Sequence, residues 1–134
     1  MAVGLVIVSH SARLAEGVAE LAGQMVQGKV AIAAAGGTPE GALGTSVDKI
    51  MAALHEVDGP EGIIVLLDLG SAVMATEMAV EAYGYEQRHR IVISSAPLVE
   101  GAVIAAIEAS IGNSLQEVAE AAASAYSLPK VQNA

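Results

Sequence analysis

Hydrophobic residues along the chain fall into four short continuous runs, separated by longer segments in which they recur every three or four positions. The runs cover residues 4–8, 30–34, 63–68 and 91–94. Each is too short for a stable helix, and uninterrupted apolar runs of this length are typical of strands that are covered on both faces. We therefore predict four buried β-strands.

The segments between and after these runs have the spacing of amphipathic helices. The first helix carries an apolar stripe that ends near Gly28, and the last begins with a capping box formed by Ser114 and Glu117. Further helices are predicted over residues 45–54, 71–82 and 100–111, and the last reaches about residue 126. Because strand alternates with helix four times, we predict an α/β fold with an open, mainly parallel four-stranded sheet and helices on both faces.

The length of 134 residues suits one domain, with a core over about residues 3–126 and a tail over 127–134 that is either loose or a short edge segment. Hydrophobic residues make up 54% of the chain, yet Phe and Trp are absent. The core must therefore consist of Ala, Val, Ile, Leu and Met, and such small side chains imply close packing between elements.

A formal net charge of −9 opposes binding to nucleic acid and to anionic lipid surfaces. No apolar run approaches the ~18 residues of a membrane span, and the N-terminus lacks the basic segment of a signal peptide. The chain contains no cysteine, which excludes disulfides and thiolate chemistry and fits a cytoplasmic protein. We expect a soluble, cytoplasmic protein without a nucleic-acid or membrane partner.

Candidate chemistry lies where the predicted strands end, because open parallel sheets place their sites beyond the carboxyl ends of the strands. The first strand leads into Ser9-His10-Ser11, the third into Asp68-Leu69-Gly70-Ser71, and a glycine-rich loop over 36–44 follows the second. If the first and third strands are neighbours, as in the order 2-1-3-4, their ends lie ~4.8 Å apart. Asp68 could then reach the His10 ring.

A carboxylate that accepts one ring N–H of histidine fixes the tautomer and leaves the other nitrogen free to attack phosphorus. Helix N-termini beginning at Ser11, Ser46 and Ser71 would offer backbone N–H groups to the phosphoryl oxygens, and nearby glycines would let the backbone come close. The sequence identifies no lysine at this site. Relay of a phosphoryl group needs little beyond positioning and charge compensation, so this set of groups is sufficient.

Structural roles remain open for the same residues at this point. A histidine at a strand end is more often a hydrogen-bonded structural residue than a nucleophile, and Asp68 could simply cap the following helix. A helix-capping role is the simpler interpretation of Thr45 and Ser46, and a phosphate-binding role comes after it. His55 and His89 are expected on the solvated surface.

Several other sites are excluded by the absence of their motifs. No P-loop or dinucleotide fingerprint is present, and neither is a Gly-x-Ser-x-Gly nucleophile elbow. Three scattered histidines without cysteine give no metal-ligand spacing. We therefore expect no directly bound cofactor and no metal.

Four segments together resemble the DhaM subunits of dihydroxyacetone kinase, which have the mannose-type enzyme IIA fold. They are residues 6–11, 44–46, 67–72 and 96–101, and they follow or end the four predicted strands in order. The resemblance covers about residues 3–126. It implies the strand order 2-1-3-4 and a cytoplasmic homodimer.

The resemblance also implies a phosphoryl relay. The phosphocarrier HPr would phosphorylate His10, and the phosphoryl group would pass to ADP held on the DhaL subunit, which phosphorylates dihydroxyacetone together with DhaK. Asp68 would orient His10, and the backbones of Gly44-Thr45-Ser46 and Gly70-Ser71 would line the phosphate pocket. Some family members carry further domains after this one, so a chain that ends here is expected to use separate donors.

Two other functions remain as alternatives. One is a sugar-specific enzyme IIA of the same fold, and the other is a regulatory binding domain in which His10 never carries phosphate. The roles of two neighbouring charges also stay open. Arg13 could screen a phosphate, dock a partner or simply lie on the surface, and Glu100 is interpreted as a charge favoured by the dipole at a helix N-terminus.

Overall fold

A computed structural model describes residues 2–132 of this protein. Strands and helices alternate in it as predicted, and the strands form one sheet. Its strands are β1 (Gly4–Ser9), β2 (Ile32–Gly36), β3 (Ile63–Leu67) and β4 (Ile91–Ile93). All neighbouring strands are parallel, in the order β2-β1-β3-β4. The α/β class and the strand order are confirmed. In this register the carboxyl ends of β1, β2 and β3 lie side by side.

Within residues 2–132, five α-helices cover the sheet. They are α1 (Ala12–Met25), α2 (Val47–Glu56), α3 (Ala72–Tyr83), α4 (Leu98–Ser110) and α5 (Leu115–Ala123). Helices α1, α4 and α5 pack on one face of the sheet, and α2 and α3 pack on the other. None of the helices within residues 2–132 is long and apolar enough to cross a membrane.

Two layers of small aliphatic side chains form the core. Successive residues of β1 point to opposite faces, so Leu5 and Ile7 join the α1 side whereas Val6 and Val8 join the α2 side. On the α1 side the contribution of α4 consists largely of alanines. These short side chains let the helix approach the sheet closely, as the composition predicts.

The second strand was predicted two residues too early, at 30–34 instead of Ile32–Gly36. The chain leaves α1 through a turn in which Gln27 and Gly28 have positive φ values of 54° and 75°. This turn displaces the start of the strand. Because β2 consists mainly of alanine and glycine, which have low strand preference, its sequence does not indicate clearly where the strand begins and ends.

Helix α4 starts at Leu98, two residues before the predicted start, because Pro97 precedes it with φ −60° and ψ 138° and marks the helix boundary. A 3₁₀ helix over Tyr85–Arg90 was not predicted, since its residues carry no apolar periodicity. At the other end α5 stops at Ala123, and a 3₁₀ turn over Ser124–Ser127 replaces its predicted last turn.

The described part of the C-terminal tail, residues 128–132, contains no strand. Lys130 Nζ lies 2.5 Å from Glu100 Oε2 and ties the tail to the first turn of α4. This hydrogen bond lowers the pKa of Glu100 below its ordinary value. Glu100 therefore has a partner in addition to the helix dipole.

Candidate active site

His10 directly follows β1 at the carboxyl edge of the sheet, and its side chain is 28% exposed. Its Nδ1 lies 3.0 Å from Asp68 Oδ1, and its Nε2 lies 3.0 Å from Ser71 Oγ. The strand order brings these groups together, because β3 is the neighbour of β1 and Asp68 follows β3 directly. The ring is held by both nitrogens and remains reachable from solvent.

The Asp68 carboxylate accepts four hydrogen bonds. Oδ1 accepts from His10 Nδ1 and from the backbone N–H of Leu69, and Oδ2 accepts from the Ser9 hydroxyl and from the backbone N–H of His10. Partial burial acts to raise the pKa of Asp68, but the hydrogen bonds from His10, Ser9 and Leu69 outweigh burial and hold this pKa below its ordinary value. The group is therefore a fixed anion at neutral pH.

Ser9 lies in the candidate segment that follows the first strand, but no role for its side chain was predicted from the sequence. Its side chain is fully buried, donates to Asp68 Oδ2 at 2.9 Å and accepts from the backbone N–H of Ser11 at 3.0 Å. It joins the end of β1, the carboxylate and the start of α1. The signal in the sequence was a polar residue at the end of an apolar strand, next to the candidate nucleophile.

The contacts of His10 fix the tautomer of its ring. An ionised carboxylate is an acceptor only, so Nδ1 must carry the hydrogen that binds Asp68. In the neutral ring Nε2 then holds the lone pair, and the Ser71 hydroxyl donates to it. Nε2 is consequently the ring nitrogen whose lone pair is available to act as a nucleophile, and Asp68 is placed to stabilise positive charge on the ring.

Unused donors lie beside Nε2. Ser71 stands at the N-cap position of α3, but its hydroxyl makes no capping bond and contacts His10 instead. Within residues 2–132 no hydrogen bond uses the backbone N–H of Gly70 or Ser71. Together with the dipole of α3, these N–H groups have the arrangement that an anion would need next to the imidazole.

The loop between β2 and α2 is attached to the same site by backbone hydrogen bonds. Gly44 N–H donates to the His10 carbonyl at 2.8 Å, and Gly37 N–H donates to the Ser9 carbonyl at 3.2 Å. A Cβ at Gly36 would lie 2.5 Å from the Ser11 carbonyl oxygen, so only glycine allows this close approach. The loop therefore holds the backbone of His10 in place on the side opposite β3.

The remaining predicted phosphate ligands are engaged in helix caps or lie further along the loop. Ser11 and Ser46 are N-caps, and their hydroxyls accept from the backbone N–H groups of Leu14 and Lys49, respectively. The N–H of Ser11 is also occupied, since it donates to Ser9. Thr45 is half-buried in the loop before α2.

A lysine lies at this edge, although the sequence analysis placed none there. Lys49 Nζ donates to the Gly36 carbonyl at 3.0 Å, at the carboxyl end of β2. The residue is in the first turn of α2, three positions after the capping Ser46, and this position could have indicated it.

A cleft of about 540 Å³ adjoins Asp68 and Gly70 between the ends of β3 and β4, and Pro97 and Tyr126 also line it.

No group of three or more His, Asp or Glu residues in the described range 2–132 is placed to hold a metal ion. His55 and His89 are exposed. His55 also makes an edge contact with the Tyr83 ring, with the centroids 4.6 Å apart.

Comparison with known proteins assigns the family. Residues 4–119 match the family described as PTS system fructose IIA component, or EIIA-man. The chain therefore belongs to the mannose-type enzyme IIA family. A crystal structure of a protein of unknown function, EF1359, has a TM-score of 0.81 and 33% identity to it, covering 92% of this chain and 94% of that one.

The resemblance to DhaM subunits is confirmed by curated relatives. The chain is 41% identical over 133 residues to "PEP-dependent dihydroxyacetone kinase, phosphoryl donor subunit DhaM" of Klebsiella michiganensis, covering 97% of this chain and 28% of that protein. It is 35% identical over 116 residues to the DhaM of dihydroxyacetone kinase 2 of Listeria innocua, covering 87% and 93%. The chain thus spans about a quarter of the first relative and nearly all of the second.

Proposed function

We propose that this protein is the phosphoryl donor subunit of a PEP-dependent dihydroxyacetone kinase and that it carries the phosphoryl group on His10. The observation that carries the proposal is the His10 imidazole, which is partly exposed, paired with Asp68 through Nδ1 and faced by Ser71 at Nε2. The DhaM relatives, which are phosphoryl donor subunits of PEP-dependent dihydroxyacetone kinases, support the assignment to this kinase.

In the proposed loading step the Nε2 lone pair attacks phosphorus on the phosphorylated donor. A bond between Nε2 and phosphorus forms while the bond between phosphorus and the donor breaks, and the donor retains that electron pair. The N–H groups of Gly70 and Ser71 receive the phosphoryl oxygens, and Asp68 balances the charge of the ring. The backbone N–H groups of Thr45 and Ser46 would complete the phosphate pocket, whereas the N–H of Gly44 already donates to the His10 carbonyl.

The proposed donor is phospho-HPr, and the proposed acceptor is ADP held on DhaL, which acts with DhaK on dihydroxyacetone. Transfer to the acceptor reverses the bond changes of loading, so the same groups serve both steps. We place the reaction in the cytoplasm and propose that the chain acts as one domain in a homodimer. No bound cofactor is needed, because the imidazole itself carries the group.

Incubation with enzyme I, HPr and phosphoenolpyruvate, followed by intact mass measurement, tests the proposal. We expect one acid-labile phosphoryl adduct on the wild type and none on His10→Ala. Addition of DhaL with ADP should discharge the adduct, whereas discharge only by an enzyme IIB protein would assign the chain to sugar transport. A wild type without adduct would favour a binding domain.

A further inference from the structure

The cleft between the ends of β3 and β4 begins at the candidate active site. Its volume is about 540 Å³, which is within the range of ligand pockets. Its lining includes Asp68, which pairs with His10, and Gly70, which directly precedes Ser71. The cleft is therefore continuous with the position that faces Nε2 of His10.

Two large side chains of the lining are exposed. Leu69 is 59% exposed, and its position is fixed because its backbone N–H donates to Asp68 Oδ1. Tyr126 is 85% exposed in the 3₁₀ turn after α5, and its hydroxyl has no hydrogen-bond partner within residues 2–132. An aromatic ring with a free hydroxyl is a typical contact group of protein interfaces. The cleft thus offers an apolar contact surface directly beside the imidazole.

The charges of the cleft indicate what kind of partner suits it. Its lining includes two carboxylates, Asp68 and Glu77, and none of its described residues is Lys, Arg or His. Asp68 accepts four hydrogen bonds, whereas the exposed Glu77 has no hydrogen-bond or ion-pair partner in the described part of the chain. A nucleotide would be repelled here. An apolar side chain next to a basic side chain would be complementary.

A protein that phosphorylates His10 has to cover the mouth of this cleft. The transfer requires phosphorus within ~3–3.5 Å of Nε2, so the surface of the donor is centred near the imidazole. Even a transient protein contact buries ~600 Å² on each partner, which corresponds to a circle of ~14 Å radius. Gly70 is adjacent to Ser71, whose hydroxyl lies 3.0 Å from Nε2, so the cleft opens inside this circle.

We propose that the cleft is the docking site of the phosphoryl donor protein. An apolar side chain of the donor lies between Leu69 and Tyr126, and a basic side chain of the donor pairs with Glu77. This inference rests on the relay proposed above and adds to it the place where the donor binds. The acceptor brings an anionic nucleotide, which the charges of the cleft disfavour, so the cleft serves loading and not discharge.

Phosphorylation of His10 by two different donors tests the docking site. Phospho-HPr is the protein donor, and phosphoramidate is a small donor that needs no docking surface. For Tyr126→Ser, the phospho-HPr concentration at half-maximal rate should rise by roughly tenfold or more, because an interface anchor is lost. For Glu77→Gln it should rise by about two- to fivefold, with a weaker salt dependence. The rate with phosphoramidate should stay unchanged in both variants, since neither residue contacts His10.

Two matched variants serve as controls. Glu81→Gln changes an exposed carboxylate one turn further along α3, outside the lining of the cleft, and Met25→Ser changes a 54% exposed apolar residue at the far end of α1. Both should behave like the wild type. Equal effects in these controls, unchanged kinetics in both cleft variants, or slower discharge to DhaL in place of slower loading would overturn the proposal. Weaker self-association of Tyr126→Ser with unchanged loading would assign the cleft to a second copy of the chain and overturn it as well.

Binding of unphosphorylated HPr separates this inference from the relay. In nuclear magnetic resonance spectra of the ¹⁵N-labelled protein, HPr should shift the backbone signals of Leu69 and Tyr126. Shifts confined to other surfaces would refute the docking site even if His10 is phosphorylated. A wild type that binds HPr at the cleft but takes no phosphoryl group from either donor would count against the relay and support the binding surface.

Discussion

Replacement of Asp68 by asparagine keeps the shape of the side chain and removes its charge. Each carboxylate oxygen accepts one backbone N–H, from His10 and from Leu69. In either orientation the new amide nitrogen therefore faces a backbone donor that it cannot bind. Loss of a hydrogen bond to a charged group costs ~1.5–3 kcal/mol, and an unpaired donor costs ~1–3 kcal/mol. Together these costs predict a fall of ~2.5–6 kcal/mol in the free energy of unfolding, out of the ~5–15 kcal/mol that is typical of a folded domain.

In the proposed phosphoryl transfer, the same substitution removes the anion that would stabilise a positively charged His10 ring. If ~1.5–3 kcal/mol of that stabilisation is lost, phosphorylation slows by roughly 10- to 100-fold. The assay is the rate of phosphoryl uptake from phospho-HPr, with circular dichroism to verify folding. Asp58→Asn is the control, since Asp58 pairs with Arg90 in the segment before β3, at the other end of the sheet. A wild-type rate in folded Asp68→Asn would refute the role of the pair.

Three further predictions concern the residues that hold His10 and Asp68 in place and the titration of Asp68. Ser9→Ala should slow phosphorylation by roughly tenfold, because Asp68 loses a charge-assisted hydrogen bond, and uptake kinetics will measure this. Gly36→Ala should lower the free energy of unfolding by ~1–3 kcal/mol in urea titrations, since its Cβ would press on the Ser11 carbonyl. Because the pKa of Asp68 is lowered in the folded protein, its contribution to stability is present above about pH 4 and is lost as pH falls further. The stability difference between wild type and Asp68→Asn should therefore shrink below that pH.

The parallel sheet and the gathering of His10 and Asp68 at one of its edges could be anticipated from the sequence because both depend on long-range regularities. Four apolar runs separated by helices define a parallel sheet, and a parallel sheet gathers the ends of its strands at one edge. The residues that follow those ends therefore become neighbours, although 58 positions separate His10 from Asp68. The family resemblance supplied the order of the strands.

Details that depend on individual side-chain directions could not be predicted in this way. Ser9 resembles any polar residue at a strand end until the carboxylate is seen to accept its hydroxyl. Ser46 and Ser71 both precede helices, yet one caps the backbone and the other contacts the imidazole. The start of β2 was missed because alanine carries little strand preference, and because the preceding left-handed turn determines where the strand begins.

The most direct test of the account is the identity of the phosphorylated atom. Nuclear magnetic resonance of the ¹⁵N-histidine-labelled protein, after loading from phosphoenolpyruvate through enzyme I and HPr, distinguishes the two ring positions. We expect phosphorus on Nε2 of His10, with Nδ1 protonated towards Asp68. Phosphorus on Nδ1, or on another residue while the His10 ring remains unmodified, would contradict it.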